Sequence, residues 1–300
     1  MRQIKIITDS CSDLDKNLLD KYDVDYVKMN TVYKELETKA TLTWDWKKPH
    51  DFYSIMRNGE RITTTQVPRD EFINCFSNYL DKGFDIIYIG CALKQSGSVN
   101  TGKMVAKELL ESNKYQDAKI ECIDSLNATV GEGMLVMYAQ DLVKSGEDFE
   151  NIVTKVLNNR KKILEFATVG TLDWLRKSGR VTASKAFFGN LFQVKPILIA
   201  DKMGAQTAVK KAKGRKNALT MIVDLLKENI IDSKNQTIYI GHADCSLEEI
   251  NIVKDYIKSN IECADIYVLP IGPIVGASVG PDTIGVWAYG SEVTYVADGE

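Results

Sequence analysis

Short apolar runs rich in β-branched residues alternate along the first half of the chain with longer segments whose apolar positions recur at helical spacing. That alternation predicts a parallel sheet covered by helices. Strands are expected at 3–8, 24–28, 84–90 and 118–123, and helices at 12–22, 49–58, 68–81, 98–112 and 130–145. Pro68 suits the first turn of the third helix, where its missing N–H costs nothing. Past the polar stretch Ser145-Gly146-Glu147-Asp148, a helix over 148–162 leads into a half of different texture. Its strands are expected at 164–169, 194–200, 205–210, 236–241, 264–269 and 283–289, several joined by turns too short for a helical crossover. Lys195 to Ala200 and Gln206 to Lys210, separated by Asp201 to Ala205, read as an antiparallel hairpin. The reading is α/β with a boundary near residue 147: an α/β domain over 1–147 and an α+β domain over 148–300. No internal repeat or low-complexity tract interrupts the pattern.

Composition narrows the possible functions. With 44% apolar and 26% charged residues the 300-residue chain is ordinary globular material. Thirty-eight Lys and Arg against 41 Asp and Glu leave a net charge of −3, so no global positive field favours nucleic acid or an anionic membrane. The six cysteines, at 11, 75, 91, 122, 245 and 263, stand singly without a C-x-x-C. They read as reduced core residues of a cytoplasmic protein rather than a metal cage. The N-terminal segment reaches Asp9 too soon for a secretory signal, and no run approaches the roughly 20 apolar residues that span a bilayer.

Candidate chemistry gathers where the predicted strands of the first half end. Asp9-Ser10 and Asp124-Ser125 each close a strand, and the strand at 84–90 runs on into Gln95-Ser96-Gly97-Ser98. In an open parallel sheet these carboxyl ends face the ligand crevice. Gly97 to Lys103 has P-loop spacing, but Met104 replaces the magnesium-binding hydroxyl and the loop does not leave its strand directly. Asp9 suits a general base or metal ligand, or, with Ser10, the cap of the helix expected from 12. An enzyme acting on a small metabolite through Asp9 and Asp124 is one reading. His242-Ala243-Asp244-Cys245 contains three potential ligands, yet His50 is distant in sequence, so a turn with a hydrogen-bonded His242 is expected. Lys210 to Lys216 holds five basic residues in seven, suited to a solvated face or an acidic protein partner. Arg61 to Pro68, with three consecutive threonines before a helix, suits either a β-strand or, together with Ser96, a hydroxyl-lined seat for a carboxylate.

Thr8-Asp9-Ser10, Thr64-Thr65-Gln66-Val67-Pro68, Ser96-Gly97-Ser98, Asp124-Ser125, Leu175 to Arg180 and Gly280-Pro281 stand in the order and approximate spacing found in DegV proteins. Over essentially its whole length the chain resembles that family. The resemblance implies an α/β first domain carrying the head-group hydroxyls and a second domain, with a largely antiparallel sheet, covering the tail of a long-chain fatty acid. It implies a carrier rather than an enzyme, with no cofactor or metal beyond the bound acid. A separate fatty acid kinase subunit, the protein partner, would phosphorylate the acid's carboxyl group. The carboxylate contacts of the family fall on Thr64 and Ser96, with Thr65, Gly97, Arg180, Asp9, Ser10 and Ser125 as further ligand-site candidates. Ser278 stands where the family has a head-group histidine, and Asp282 where it has a glycine. These departures leave two alternatives: an acid held by the neutral hydroxyls of Thr64, Ser96 and Ser278, or a lipid with a different head group. Asp282 would repel a carboxylate if it faced the pocket. Phe187, Phe188, Leu191 and Phe192, beside Ala183, Ala186 and Gly189, suit a helix lining an acyl tunnel.

Overall fold

The computed structural model describes residues 2–182 and 194–296, so the expected lining helix of Phe187 to Phe192 lies outside the described residues. The first half runs β1 (Gln3–Asp9), α1 (Lys16–Tyr22), β2 (Asp25–Val27), β3 (Asn30–Tyr33), β4 (Leu36–Lys39), α2 (Pro49–Arg57), β5 (Thr63–Thr65), α3 (Arg69–Asp81), β6 (Phe84–Gly90), α4 (Ser98–Leu110), β7 (Ile120–Asp124) and α5 (Thr129–Lys144). The remainder runs α6 (Phe149–Asn159), β8 (Ile163–Thr168), α7 (Asp173–Ser178), β9 (Val181–Thr182), β10 (Val194–Ala200), β11 (Gln206–Lys213), α8 (Arg215–Asn229), β12 (Thr237–His242), α9 (Leu247–Asn260), β13 (Asp265–Pro270), α10 (Pro273–Val279) and β14 (Ile284–Tyr289).

Strands β2-β1-β6-β7 form a four-stranded, wholly parallel sheet. Its central strands are buried on both faces, which is why they read as continuous apolar runs. Alternation sends Ile6, Ile87, Ile89 and Ile123 toward α5, and Ile7, Ile86, Tyr88 and Cys122 toward Phe72 and Phe76 of α3. The second sheet has seven strands in the order β13-β12-β14-β8-β10-β11-β9. Only the outer pairs, β12 with β13 and β11 with β9, are parallel, so it is mostly antiparallel, and β10–β11 is the expected hairpin. α5 fills the space between the sheets. Its Val130, Met134 and Met137 share one apolar cluster with Ile6 and Ile87 of the first sheet and Trp287 and Leu269 of the second. At about 1.5–3 kcal/mol for each large apolar side chain buried, this shared cluster holds the two sheets at a fixed separation.

Two local expectations are corrected. Helix α1 begins at Lys16, not at 12, and its cap is Asp15, which accepts from the Leu18 N–H at 2.9 Å. Asp13 adopts a left-handed backbone (φ 49°), and the Ser12 N–H donates to the Asp9 carbonyl, so Asp9 to Asp13 form a turn that the helix cannot enter. Asp9 and Ser10 therefore cap nothing. The second correction is a small antiparallel sheet, β4-β3-β5, that the hydrophobic pattern does not announce because its strands are short and half exposed. It takes in the threonine run: Thr64 pairs with Thr31. Among the described residues no helix is long and apolar enough to cross a membrane.

Candidate functional site

A cavity of about 440 Å³ lies between the two sheets, within the range of small-molecule sites. Both halves of the chain line it. One end is built from the hydroxyl-bearing segments: Thr64 and Thr65 of β5, Ser96 and Gly97 ahead of α4, and Ser278 of α10, with Arg180 beside them. A smaller cavity of about 200 Å³ shares Thr64, Arg180 and Ser278 with it and adds Arg61 and Lys177, so the hydroxyl end gives onto a cationic recess.

The donors differ in how far they are already engaged. Ser98 Oγ accepts from the Val67 N–H at 3.1 Å and lies 3.0 Å from Ser96 Oγ, which also accepts from the Ser98 N–H at 3.3 Å. That arrangement lets the Ser96 O–H donate into the cavity. Thr64 Oγ1 and Ser278 Oγ make no hydrogen bond among the described residues. Thr65 is different, since its hydroxyl donates to Glu37 at 3.1 Å. Gly97 lies against the end of the Gln66 side chain, whose Oε1 would be 2.2 Å from a Cβ there. The N-terminus of α4, directly after Ser96 and Gly97, adds a partial positive charge beside them. Arg180 donates to the carbonyls of Gln95 (3.4 Å) and Ser178 (2.6 Å), linking the halves through carbonyl groups.

Asp9, Ser10 and Ser125 do not line the cavity. The Asp9 carboxylate is fully buried and accepts from Tyr88 Oη (2.6 Å), the Cys11 N–H (2.8 Å) and the Cys91 N–H (3.2 Å). Burial raises its pKa, opposed by those hydrogen bonds. Ser10 Oγ donates to the Ala40 carbonyl at 2.7 Å, and Ser125 Oγ to that of Asn127 at 2.8 Å, each fastening a loop. Asp124 accepts from the Leu126 N–H at 2.9 Å. It ends β7, two strands from Asp9, and like Asp9 it spends its carboxylate on backbone N–H groups, those of Leu93 and Leu126. Asp282 faces away from the cavity, its carboxylate accepting from Arg57 at 2.7 Å, so it brings no negative charge to the hydroxyl end.

His242 is not in a turn but ends β12, with its Nδ1 unpartnered among the described residues and its pKa lowered by burial. His50, remote in sequence, meets Asp244 at 2.9 Å. In the basic run, Arg215 is not solvated but pairs with Glu249 at 2.8 Å.

The sequence reading missed two groups on the cavity wall. Cys11 and Cys91 line it, and their sulfurs lie within 4.8 Å of each other and of a Glu132 carboxylate oxygen. A hydrogen bond to Cys91 and burial hold the Cys11 thiol protonated, while burial and nearby Asp9 do the same for Glu132. Glu165, two residues along β8 from Ala167, which packs with Val279 beside Ser278, also lines the cavity, with Gln206 and Trp287. Glu165 is only 5% exposed, accepts from Trp287 Nε1 at 3.2 Å, and is pushed up to about 7 by burial. Its one sequence signal was a single acid inside an apolar strand.

The family model described as "Uncharacterised protein, DegV family" matches residues 3–291. A DegV domain-containing protein of Clostridium perfringens is 32% identical over 296 residues, covering 97% of this chain and 98% of that one. Among solved structures, a fatty-acid-binding DegV family protein of Thermus thermophilus superposes with a TM-score of 0.86 at 24% identity, covering 97% of this chain and 100% of the other. A stearic-acid-binding protein of Eubacterium ventriosum gives 0.82 at 24% identity, with 96% and 98% covered. Both share the fold of this chain.

Proposed function

This chain belongs to the DegV family, and from that premise we propose that it binds a long-chain fatty acid between its two sheets and presents the carboxylate to a partner fatty acid kinase. The observation that carries the reading is the cavity of about 440 Å³ with the hydroxyls of Thr64, Ser96 and Ser278 collected at one end. Each methylene withdrawn from water contributes about 0.8 kcal/mol, so a sixteen-carbon tail gains on the order of 10 kcal/mol before the costs of association. The tail supplies affinity, and the hydroxyls orient the head. Hydroxyl donors stabilise a carboxylate without needing a base, which suits a group that must stay ionised to attack a phosphoryl donor.

In that reaction a carboxylate oxygen bonds to the transferred phosphorus, the bond to the nucleotide's leaving group breaks, and the kinase supplies the catalytic groups. The cationic recess of Arg61, Lys177 and Arg180 lies where the charge of the new acyl phosphate would emerge. Ser278 brings no titratable group, so the head is held by neutral donors with Arg180 as the adjacent charge.

Solvent extraction of the purified protein followed by mass spectrometry tests the reading. One fatty acid per chain is expected. A protein that is empty and takes up no added oleic or stearic acid would refute it.

A further inference from the structure

Resting on the fatty-acid reading, we propose that the preferred ligand carries a hydroxyl on its acyl chain, away from the carboxylate, and that Glu165 selects it by hydrogen bonding inside the cavity. Side chains of β8 alternate, so Glu165 and Ala167 share one face of the second sheet. Across the neighbouring strands Ala167 is flanked by Gly285 and Leu198, while Glu165 is paired with Trp287. The cavity wall therefore changes character along the strand, from small and apolar at Ala167 and Leu198 to polar at Glu165 and Gln206.

An all-hydrocarbon tail would press methylenes against that polar patch. A carboxyl group offers about four lone-pair sites. Trp287 Nε1 occupies one on Oε2 and the Gln206 side chain hydrogen-bonds a second, which leaves about two open toward the cavity. A chain without polar groups expels water from the remaining sites and returns nothing, which is the costly case for a buried polar group. A chain hydroxyl replaces that water. It donates to an ionised Glu165 and accepts from a protonated one, so it suits a carboxyl that burial raises to about 7. A glutamate needed only to fasten β8 to β14 would be closed off by Trp287; this one also faces the cavity.

The test offers delipidated full-length protein stearic acid in equimolar competition with hydroxystearic acids bearing the hydroxyl at successive mid-chain and terminal carbons, read by mass spectrometry of the retained lipid. Wild-type protein should enrich one hydroxystearic acid over stearic acid about tenfold, the worth of one hydrogen bond to a charged group, and Glu165→Leu should reverse the order. Above about pH 8, where Glu165 is ionised and can only accept, the methyl ether of the favoured acid, which cannot donate, should lose the advantage in wild-type protein, a measurement that needs no folded variant. Equal retention of stearic acid and every hydroxy acid, or an unchanged preference in Glu165→Leu, would overturn the inference while leaving the fatty-acid reading standing. Retention of no acid at all would overturn both.

Discussion

Replacing Ser96 with alanine isolates the head-group contribution. The Ser96 hydroxyl is fixed from behind by Ser98, at 3.0 Å from its Oγ and 3.3 Å from its N–H. It is half-buried, so the loss of its bond to a carboxylate falls toward the lower part of the ~1.5–3 kcal/mol expected for a charged acceptor. That corresponds to roughly tenfold to thirtyfold weaker binding of oleic acid. The fold itself should lose about 1–2 kcal/mol, since the variant removes the contacts to the Ser98 hydroxyl and N–H, each a neutral hydrogen bond. Oleyl alcohol supplies the control: its neutral oxygen forfeits only ~0.5–1.5 kcal/mol, so the variant should narrow the gap between acid and alcohol. Displacement of a fluorescent fatty acid from delipidated protein measures both affinities, and thermal melting monitors the fold. Wild-type affinity for oleic acid in a variant that still melts cooperatively would remove Ser96 from the head-group site and refute the reasoning built on that end of the cavity.

Gly280→Ala should destabilise the protein by about 3 kcal/mol or more, because the backbone there (φ 81°, ψ 171°) is open essentially to glycine alone and a Cβ would fall 2.1 Å from Trp174 Cδ1; a urea midpoint equal to wild type would contradict this. Asp13, fully buried and held protonated to about pH 7, binds a proton more tightly folded than unfolded, so its contribution to stability is intact below pH ~4 and is lost as pH rises to about 7. Between pH 5 and pH 8 this group alone should cost on the order of 3 kcal/mol, and Asp13→Asn should flatten the fall measured by urea unfolding; an unchanged pH slope would assign it to other groups.

The parallel core of the first half was legible because buried central strands must be apolar on both faces. The expected strand at 84–90 coincides with β6, and the expected hairpin is β10 and β11. Of the β4-β3-β5 sheet, the threonine run of β5 was open to reading as a strand, whereas β3 and β4, four residues each with few apolar positions, leave no apolar period. The start of α1 was not legible: Ser12, Asp13 and Asp15 are all residue types that cap helices, and the left-handed turn at Asp13 leaves Asp15 to do it.

The same division runs through the site. Hydroxyl chemistry is a property of residue type, so Thr64 and Ser96 could be proposed along the chain, while Ser278 entered only through the family resemblance. Which polar groups face a cavity depends on packing between segments far apart in sequence. Only the folded chain turned Asp9, Ser10 and Ser125 inward onto backbone partners and aimed Asp282 at Arg57. Only the register of β8 against β14 brought Glu165 beside Trp287 on the cavity wall. Local sequence sets periodicity and chemical kind, while direction and neighbourhood follow from long-range pairing that no short stretch of residues contains.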